Sequence, residues 1–165
     1  LSKTFWTFLG VGLAVVAIVV TLSWVGSKGS HVDLEGEILK VRSHQMNPNA
    51  TLVVIDFRIK NPADVNFMVK NVEVELTPES GDPVIGMPIS KADVDNIFKY
   101  EKYLGTKYND VLTIRDKIDP HQKMDRMVGV RFELSDAAVQ ARKALKIRIL
   151  EMDNATVEIT ENRAR

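Results

Sequence analysis

The chain has no cysteine, which excludes a disulfide framework, a zinc–thiolate site and a thiol nucleophile. Histidine is scarce as well. His31, His44 and His121 are the only imidazoles, and no two stand at the i, i+2 or i+4 spacing of a metal-binding pair. His31 lies at the boundary of the N-terminal segment, and His44 and His121 fall in stretches that read as loops, so all three are expected to be solvent-exposed. No serine sits in a G-x-S-x-G elbow, and there is no G-x-G-x-x-G or phosphate loop. Asp93, Asp95, Asp110, Asp116 and Asp119 lack the D-x-D-x-D-G order and closing glutamate of a calcium loop. No cofactor, metal site or small-molecule substrate is therefore indicated.

Charge of one sign is also lacking: 22 basic side chains stand against 22 acidic ones. Setting aside Lys3 and Lys28 in the first 28 residues, which hold no acid, leaves a net of −2 for the remainder. Nucleic-acid binders show a clustered basic footprint, and none is present. The mixture of signs and the wealth of β-branched residues argue equally against intrinsic disorder. With 165 residues the chain has room for one ordinary domain and an additional short segment.

From Phe5 to Val25 (FWTFLGVGLAVVAIVVTLSWV) charge is absent altogether. A helix needs about 20 apolar residues to cross a hydrocarbon core of about 30 Å, and this run meets that length. Trp6 and Trp24 are separated by about 27 Å of helix, so each indole is expected at one membrane interface. Lys3 and Lys28 flank the run. Gly10, Ala14 and Ala17 form a small-residue stripe suited to packing against other membrane helices. A cleaved signal peptide has a shorter apolar core ending in small residues, where this chain has Trp24. A helix this apolar all round inside a soluble core would need a much larger protein to cover it. Leu1 in place of Met points to a processed or trimmed start, or to an unusual start codon. The expected organisation is a single-pass transmembrane anchor over 1–28 and a short linker over 29–31, with the flexible stretch Gly26–Ser30 (GSKGS) at their junction. A domain over 32–161 and a polar tail over 162–165 follow, with the domain on the extracytoplasmic side, periplasmic or extracellular.

Beyond Ser30 the dominant period is two. Thr51–Lys60 places Val53, Ile55, Phe57 and Ile59 on one face, and Val54, Asp56, Arg58 and Lys60 on the other. Asn71–Leu76, Met127–Leu134, Leu145–Ile149 and Thr156–Thr160 alternate in the same way, with Asp153-Asn154 marking a tight hairpin. Leu34–Arg42 is a weaker first strand. Val84–Ile89 and Val111–Ile118 are further strands, the former held to an edge by Pro83 and Pro88. Ser90 and Asp93 form a capping box for a helix that sets Val94, Ile97 and Phe98 on one side. Ser135-Asp136 caps a second helix over Ala137–Ala144. The pattern predicts a mainly β fold, an immunoglobulin-like antiparallel β-sandwich with one or two short helical insertions.

The stretch LVVIDFRIKNPADVNFMVKNVEVEL (Leu52–Leu76) carries a strand ending in Asn61-Pro62, a short turn with Val65 and Phe67, and a following strand Val72–Leu76. Downstream come Ile118–Leu134, a proline turn feeding a long strand, and the closing hairpin Leu145–Ile159. Together these resemble the water-stress and late-embryogenesis-abundant type 2 domain, the WHy domain, over roughly Val32 to Glu161. Asparagine can bond its own backbone to stop a strand, and proline removes the next ladder donor, so Asn-Pro is a fold signature. The charged segment Ser90–Lys107 departs from the family's pattern. What the resemblance implies is an immunoglobulin-like sandwich with a binding or protective role and no catalytic centre.

One segment holds all three tyrosines: Asn96–Tyr108 (NIFKYEKYLGTKY) interleaves Phe98, Tyr100, Tyr103 and Tyr108 with Lys99, Lys102 and Lys107. Tyrosines beside cations are what protein interfaces use, and Tyr100, Lys102, Tyr103, Lys107 and Tyr108 are the candidate partner surface. The plainer alternative is a helix that packs Ile97 and Phe98 on the sandwich and leaves its tyrosines half-exposed. Three functions fit these residues. The leading one is a non-catalytic membrane-anchored interaction module, an accessory or structural subunit of a larger membrane complex, with the bilayer and other membrane subunits as partners. The second is a stress-protective WHy-type protein acting on membranes or client proteins. The third is a hydrolase or metal-dependent enzyme whose carboxylates and histidines meet only in space.

Overall fold

The computed structural model describes Phe5, residues 12–21 and residues 33–161. The chain divides into two compact units, Leu1–Val32 and Asp33–Arg165. In the first, residues 12–21 are helical, and Leu13, Val15, Val16, Ile18, Val19 and Val20 are exposed. Among the described residues no helix is long and apolar enough to cross a membrane, so a transmembrane helix is not one of the elements shown. Residues 6–11 and 22–25 of that run, with Trp6, Gly10 and Trp24, lie outside the described residues. Ala14 and Ala17 lie in the helical stretch and are exposed, and the Ala17 carbonyl accepts a hydrogen bond from Thr21 Oγ1 at 2.6 Å.

The second unit is a β-sandwich. Its long strands are β1 (Glu35–Asn47), β2 (Ala50–Lys60), β3 (Phe67–Thr77), β8 (Lys123–Phe132), β9 (Ala144–Glu151) and β10 (Thr156–Thr160). Short pairings add β4 (Val84–Ile85), β5 (Met87–Pro88), β6 (Asp110–Val111) and β7 (Lys117–Ile118). One sheet runs β1-β2-β8-β5 with β6 beside β8, and the other runs β10-β9-β3-β4 with β7 beside β3. Every pairing is antiparallel except β6 with β8. Between the sheets lie Val53, Ile55, Phe57 and Ile59 of β2, Val128, Val130 and Phe132 of β8, and Leu145, Ile147 and Ile149 of β9. Each fully buried side chain of this size contributes about 1.5–3 kcal/mol relative to exposure.

Two connectors depart from the sequence reading. Val84–Ile89 is not one edge strand: it changes sheet at Gly86, with β4 on the edge beside β3 and β5 on the edge beside β8. A Cβ at Gly86 would stand 2.9 Å from Phe132 Cζ and 3.0 Å from Val130 Cβ, so glycine lets the chain cross against the core. Pro88, without an N–H, sits in an edge strand as expected. Val111–Ile118 likewise is not one strand. β6 and β7 join different sheets, and a turn containing Arg115 at φ +72° separates them.

The helices are α1 (Lys91–Tyr100) and α2 (Asp136–Gln140). Ser90 caps α1, its Oγ accepting from the Asp93 N–H at 3.2 Å, and Ser135 caps α2 through the Ala138 N–H at 3.3 Å. The second helix is shorter than the expected Ala137–Ala144, because the Lys143 N–H already bonds Thr77 O and the chain enters β9 at Ala144. Asn61 ends β2 fully buried. Its Oδ1 accepts from Ala63 N–H at 3.0 Å, and its Nδ2 donates to Val65 O at 2.8 Å and Ile118 O at 3.1 Å.

Candidate functional site

The outer face of the first sheet is not the polar face that alternation predicts. Leu52 and Val54 of β2 and Met127 of β8 form a second small core there with Val94, Leu104 and Val111. Ile89, Ile97 and Phe98 pack against it, partly buried. The helix reaches the sheet because residue 129 is glycine: a Cβ there would lie 2.7 Å from Val94 Cγ2. Thus α1 lies flat on β2 and β8, and its C-terminal end leads into a 3-10 turn at Lys102–Leu104. Gly105, at φ +73°, turns the chain back along β1 in a conformation that disfavours other residues.

Arg42 and Asp56 hold that returning segment down. They face outward on adjacent strands, and an Arg42 Nη2 bonds Asp56 Oδ2 at 2.6 Å with both side chains at least nine-tenths buried. Arg42 Nη1 donates to the carbonyls of Leu104 and Thr106, each at 2.8 Å, and Asn109 Nδ2 donates to Asp56 Oδ1 at 2.8 Å. The guanidinium also lies 4.8 Å from the centre of the Phe98 ring and 5.4 Å from that of Tyr108. A planar cation with several donors can satisfy a carboxylate, two carbonyls and two ring faces at once, which a lysine could not. Asp56 was expected on the solvent side of its strand. It is buried because this turn covers it.

A second clamp lies at the helix. Lys107 Nζ reaches Asp95 at 2.7 Å and Asp110 at 3.2 Å, and Lys91 bonds Asp95 at 3.1 Å. Hydrogen bonding to Lys107, with Lys91 second, holds the Asp95 carboxyl below its usual range, and Lys107 does the same to Asp110. The Lys107 ammonium is raised in turn, chiefly by Asp95.

The candidate partner residues are thus brought together, though not all in the expected state. Tyr100, Tyr103 and Tyr108 are 70%, 90% and 62% exposed, more than the half-exposed packing of the plainer alternative. Lys102 is exposed beside them, whereas Lys107 is occupied by its two carboxylates. Tyr103 stacks parallel to His44, centroids 6.3 Å apart, and His44 Nε2 is 3.6 Å from Glu101. His44 is therefore a strand residue and not a loop one. His121 does lie in an exposed turn, at φ +58°, bonded to Asp64 at 2.9 Å, and His31 is outside the described residues. Among the described residues no three of His, Cys, Asp and Glu gather as metal ligands would. The residues that sequence reasoning missed are Arg42, Asp56, Asn109 and His44. A buried-looking Asp between Ile55 and Phe57 was the one signal available for them.

No family model matches the chain, and no curated protein matches it. Solved structures that are similar include an uncharacterised β-sandwich protein from Clostridium difficile 630, at 12% identity over 81% of this chain and 91% of that one, with a TM-score of 0.40. Another is the archaellum periplasmic stator protein complex FlaF and FlaG from Sulfolobus acidocaldarius, at 15% identity over 76% and 86% with a TM-score of 0.30. This chain is mainly β, a sandwich with a few short helices, as its own strand order shows.

Proposed function

We propose that this chain is a membrane-tethered, non-catalytic interaction module, an accessory or structural subunit of a larger membrane protein complex. The observation that carries the reading is the tyrosine turn. A buried Arg42–Asp56 pair, two carbonyl acceptors and a lysine clamp fix a short segment whose three tyrosines point to solvent. Ordering large aromatic side chains on a pre-built platform removes the entropic cost of doing so on binding, which is what recognition surfaces require. Interface centres favour tyrosine for the same reason. The tether is supported by the uncharged 21-residue run Phe5–Val25, flanked by tryptophans and lysines. Holding an immunoglobulin-like domain next to a bilayer raises its effective concentration for a membrane neighbour. The domain is read as extracytoplasmic.

Gentle detergent extraction from native membranes, followed by native-gel separation and identification of co-migrating chains, tests this reading. Migration with a defined complex supports it, and migration alone contradicts it. A second reading is a WHy-type protective protein, favoured by Asn61, whose three side-chain bonds stop β2 as the resemblance implies. Unaltered survival of a deletion strain under drying would count against it.

A further inference from the structure

We propose that the tyrosine turn docks an acidic, extended segment of a partner protein. This rests on the tethered-module reading and names its partner by chemistry. Charge is the first reason. Lys40, Lys99 and Lys102 meet no carboxylate within ion-pair distance among the described residues, and Lys40 and Lys99 lie 5.2 and 5.4 Å over the rings of Tyr108 and Tyr100. The neighbouring acids are engaged elsewhere: Asp56 by Arg42, Asp95 and Asp110 by Lys107, Asp125 by Arg58. Glu101 faces His44. Three free cations among exposed tyrosines complement an anionic ligand.

Shape and place indicate its form. A groove of about 340 Å³ is lined by Leu39, Lys40, Tyr108 and Asn109, together with Asp56 and Asp125, whose charges Arg42 and Arg58 already meet. Among the described residues β1 is an outermost strand, paired in ladder only with β2, so an extended segment can lie along it and present alternate side chains to the lysines. Pairing along an edge strand needs an extended backbone with its own N–H and C=O groups, which a protein segment has and a lipid headgroup lacks.

The test uses the full chain in mild detergent and a fluorescein-labelled peptide of alternating glutamate and leucine, read by anisotropy. Binding is expected, weakening with salt. The pair Lys99→Glu, Lys102→Glu should weaken it by about tenfold or more, equivalent to about 1.4 kcal/mol. A control with the same charge change at Lys117→Glu, Lys143→Glu should alter it by less than about twofold, since a distant charge change acts only through a screened field. Because Lys99 lies in the last turn of α1, the exposed pair Lys102→Glu, Tyr103→Ser repeats the loss without touching the helix. The proposal is overturned by no peptide binding, by equal loss in the control, or by displacement with short-chain phosphatidylserine that depends on the same lysines. If wild type and the Lys99→Glu, Lys102→Glu pair both travel with a complex on native gels, docking at this turn fails while the tethered-module reading stands. If wild type travels alone, that reading fails, and the peptide measurement still decides the docking chemistry.

Discussion

Replacing Asp56 by alanine removes the anion that fixes the tyrosine turn to the sheet, and the surroundings set the size of the effect. The Arg42 guanidinium stays buried, with Leu104 O and Thr106 O still to bond but no counter-charge, and Asn109 Nδ2 loses its acceptor. Removing one partner of a buried pair costs about 3–5 kcal/mol, because an uncompensated charge is left behind. Domains of this kind have only about 5–15 kcal/mol in all. At roughly 3–5 °C per kcal/mol for a domain of this size, Asp56→Ala should lower Tm by about 10–20 °C. Thermal unfolding followed by circular dichroism would measure that. Chymotrypsin cleavage after Tyr103 and Tyr108 should accelerate well below Tm, because the turn detaches before the sandwich opens. The double variant Arg42→Met, Asp56→Leu removes both charges and should recover much of the loss, though the two carbonyls remain without their donor. If Asp56→Ala lowers Tm by less than about 5 °C and leaves the turn protected from chymotrypsin, the buried pair does not hold the platform, and the account of the site fails.

The remaining predictions concern the helix clamp, the helix seat and the strand stop. For Lys107, the depressed carboxyls of Asp95 and Asp110 contribute stability that is present above their ordinary 3.8 and lost as pH falls through the folded values. The raised Lys107 ammonium contributes stability that is present below 10.5 and lost as pH rises through its folded value. The urea midpoint difference between wild type and Lys107→Met should therefore be flat from about pH 5 to about pH 9.5 and fade on both sides, whereas a difference that does not shrink as pH falls below 3.8 would contradict the clamp. Gly129→Ala drives a Cβ to 2.7 Å from Val94 Cγ2 and should cost about 1–3 kcal/mol by lifting α1, measured by urea unfolding. Val94→Ala in the same background should relieve part of that loss. Asn61→Ala strands the Val65 and Ile118 carbonyls and the Ala63 N–H, so a loss of about 1–3 kcal/mol is expected, with faster amide exchange at Ala63.

Strands whose alternation is unbroken were legible from the residues. Thr51–Lys60 and Thr156–Thr160 are found within one residue of the expected limits, since one apolar face suffices to identify a half-buried strand. β1 was weaker for a definable reason. The register slips between Ile38 and Lys40, so Leu39 is an extra residue. Glu37 and Ile38 follow one parity, and Lys40 and Val41 the other, which blurs the period from sequence although each half alternates. β3 slips similarly between Val69 and Asn71, and its start at Phe67 was missed on that account. The short pairings β4 to β7 have two residues each and carry no period to read.

The candidate site was legible in composition but not in construction, and the difference lies in what a period can encode. Alternation records which face of a strand a residue occupies; it does not record what covers that face. Val54 and Asp56 were rightly assigned to the face opposite Ile55, yet a solvent role does not follow, because the same strand has a second layer over one half and water over the other. The change occurs within two residues. Asp56 is 2% exposed under the tyrosine turn, whereas Arg58 is half-open and paired with Asp125. What decides the boundary is distant in sequence: Gly129, which admits Val94, and Arg42, which meets carbonyls 62 and 64 residues further on. Such contacts leave no local trace except a mismatch, here an acidic residue in a run otherwise apolar on both faces. An acid at that position, flanked by Val54, Ile55 and Phe57, must find a cation if it is to be buried, and an arginine on the neighbouring strand is the side chain that can reach it. Reading such mismatches as buried-pair candidates, and asking which segment could cover them, would have pointed from Asp56 to the one long insertion available, Ser90–Tyr108.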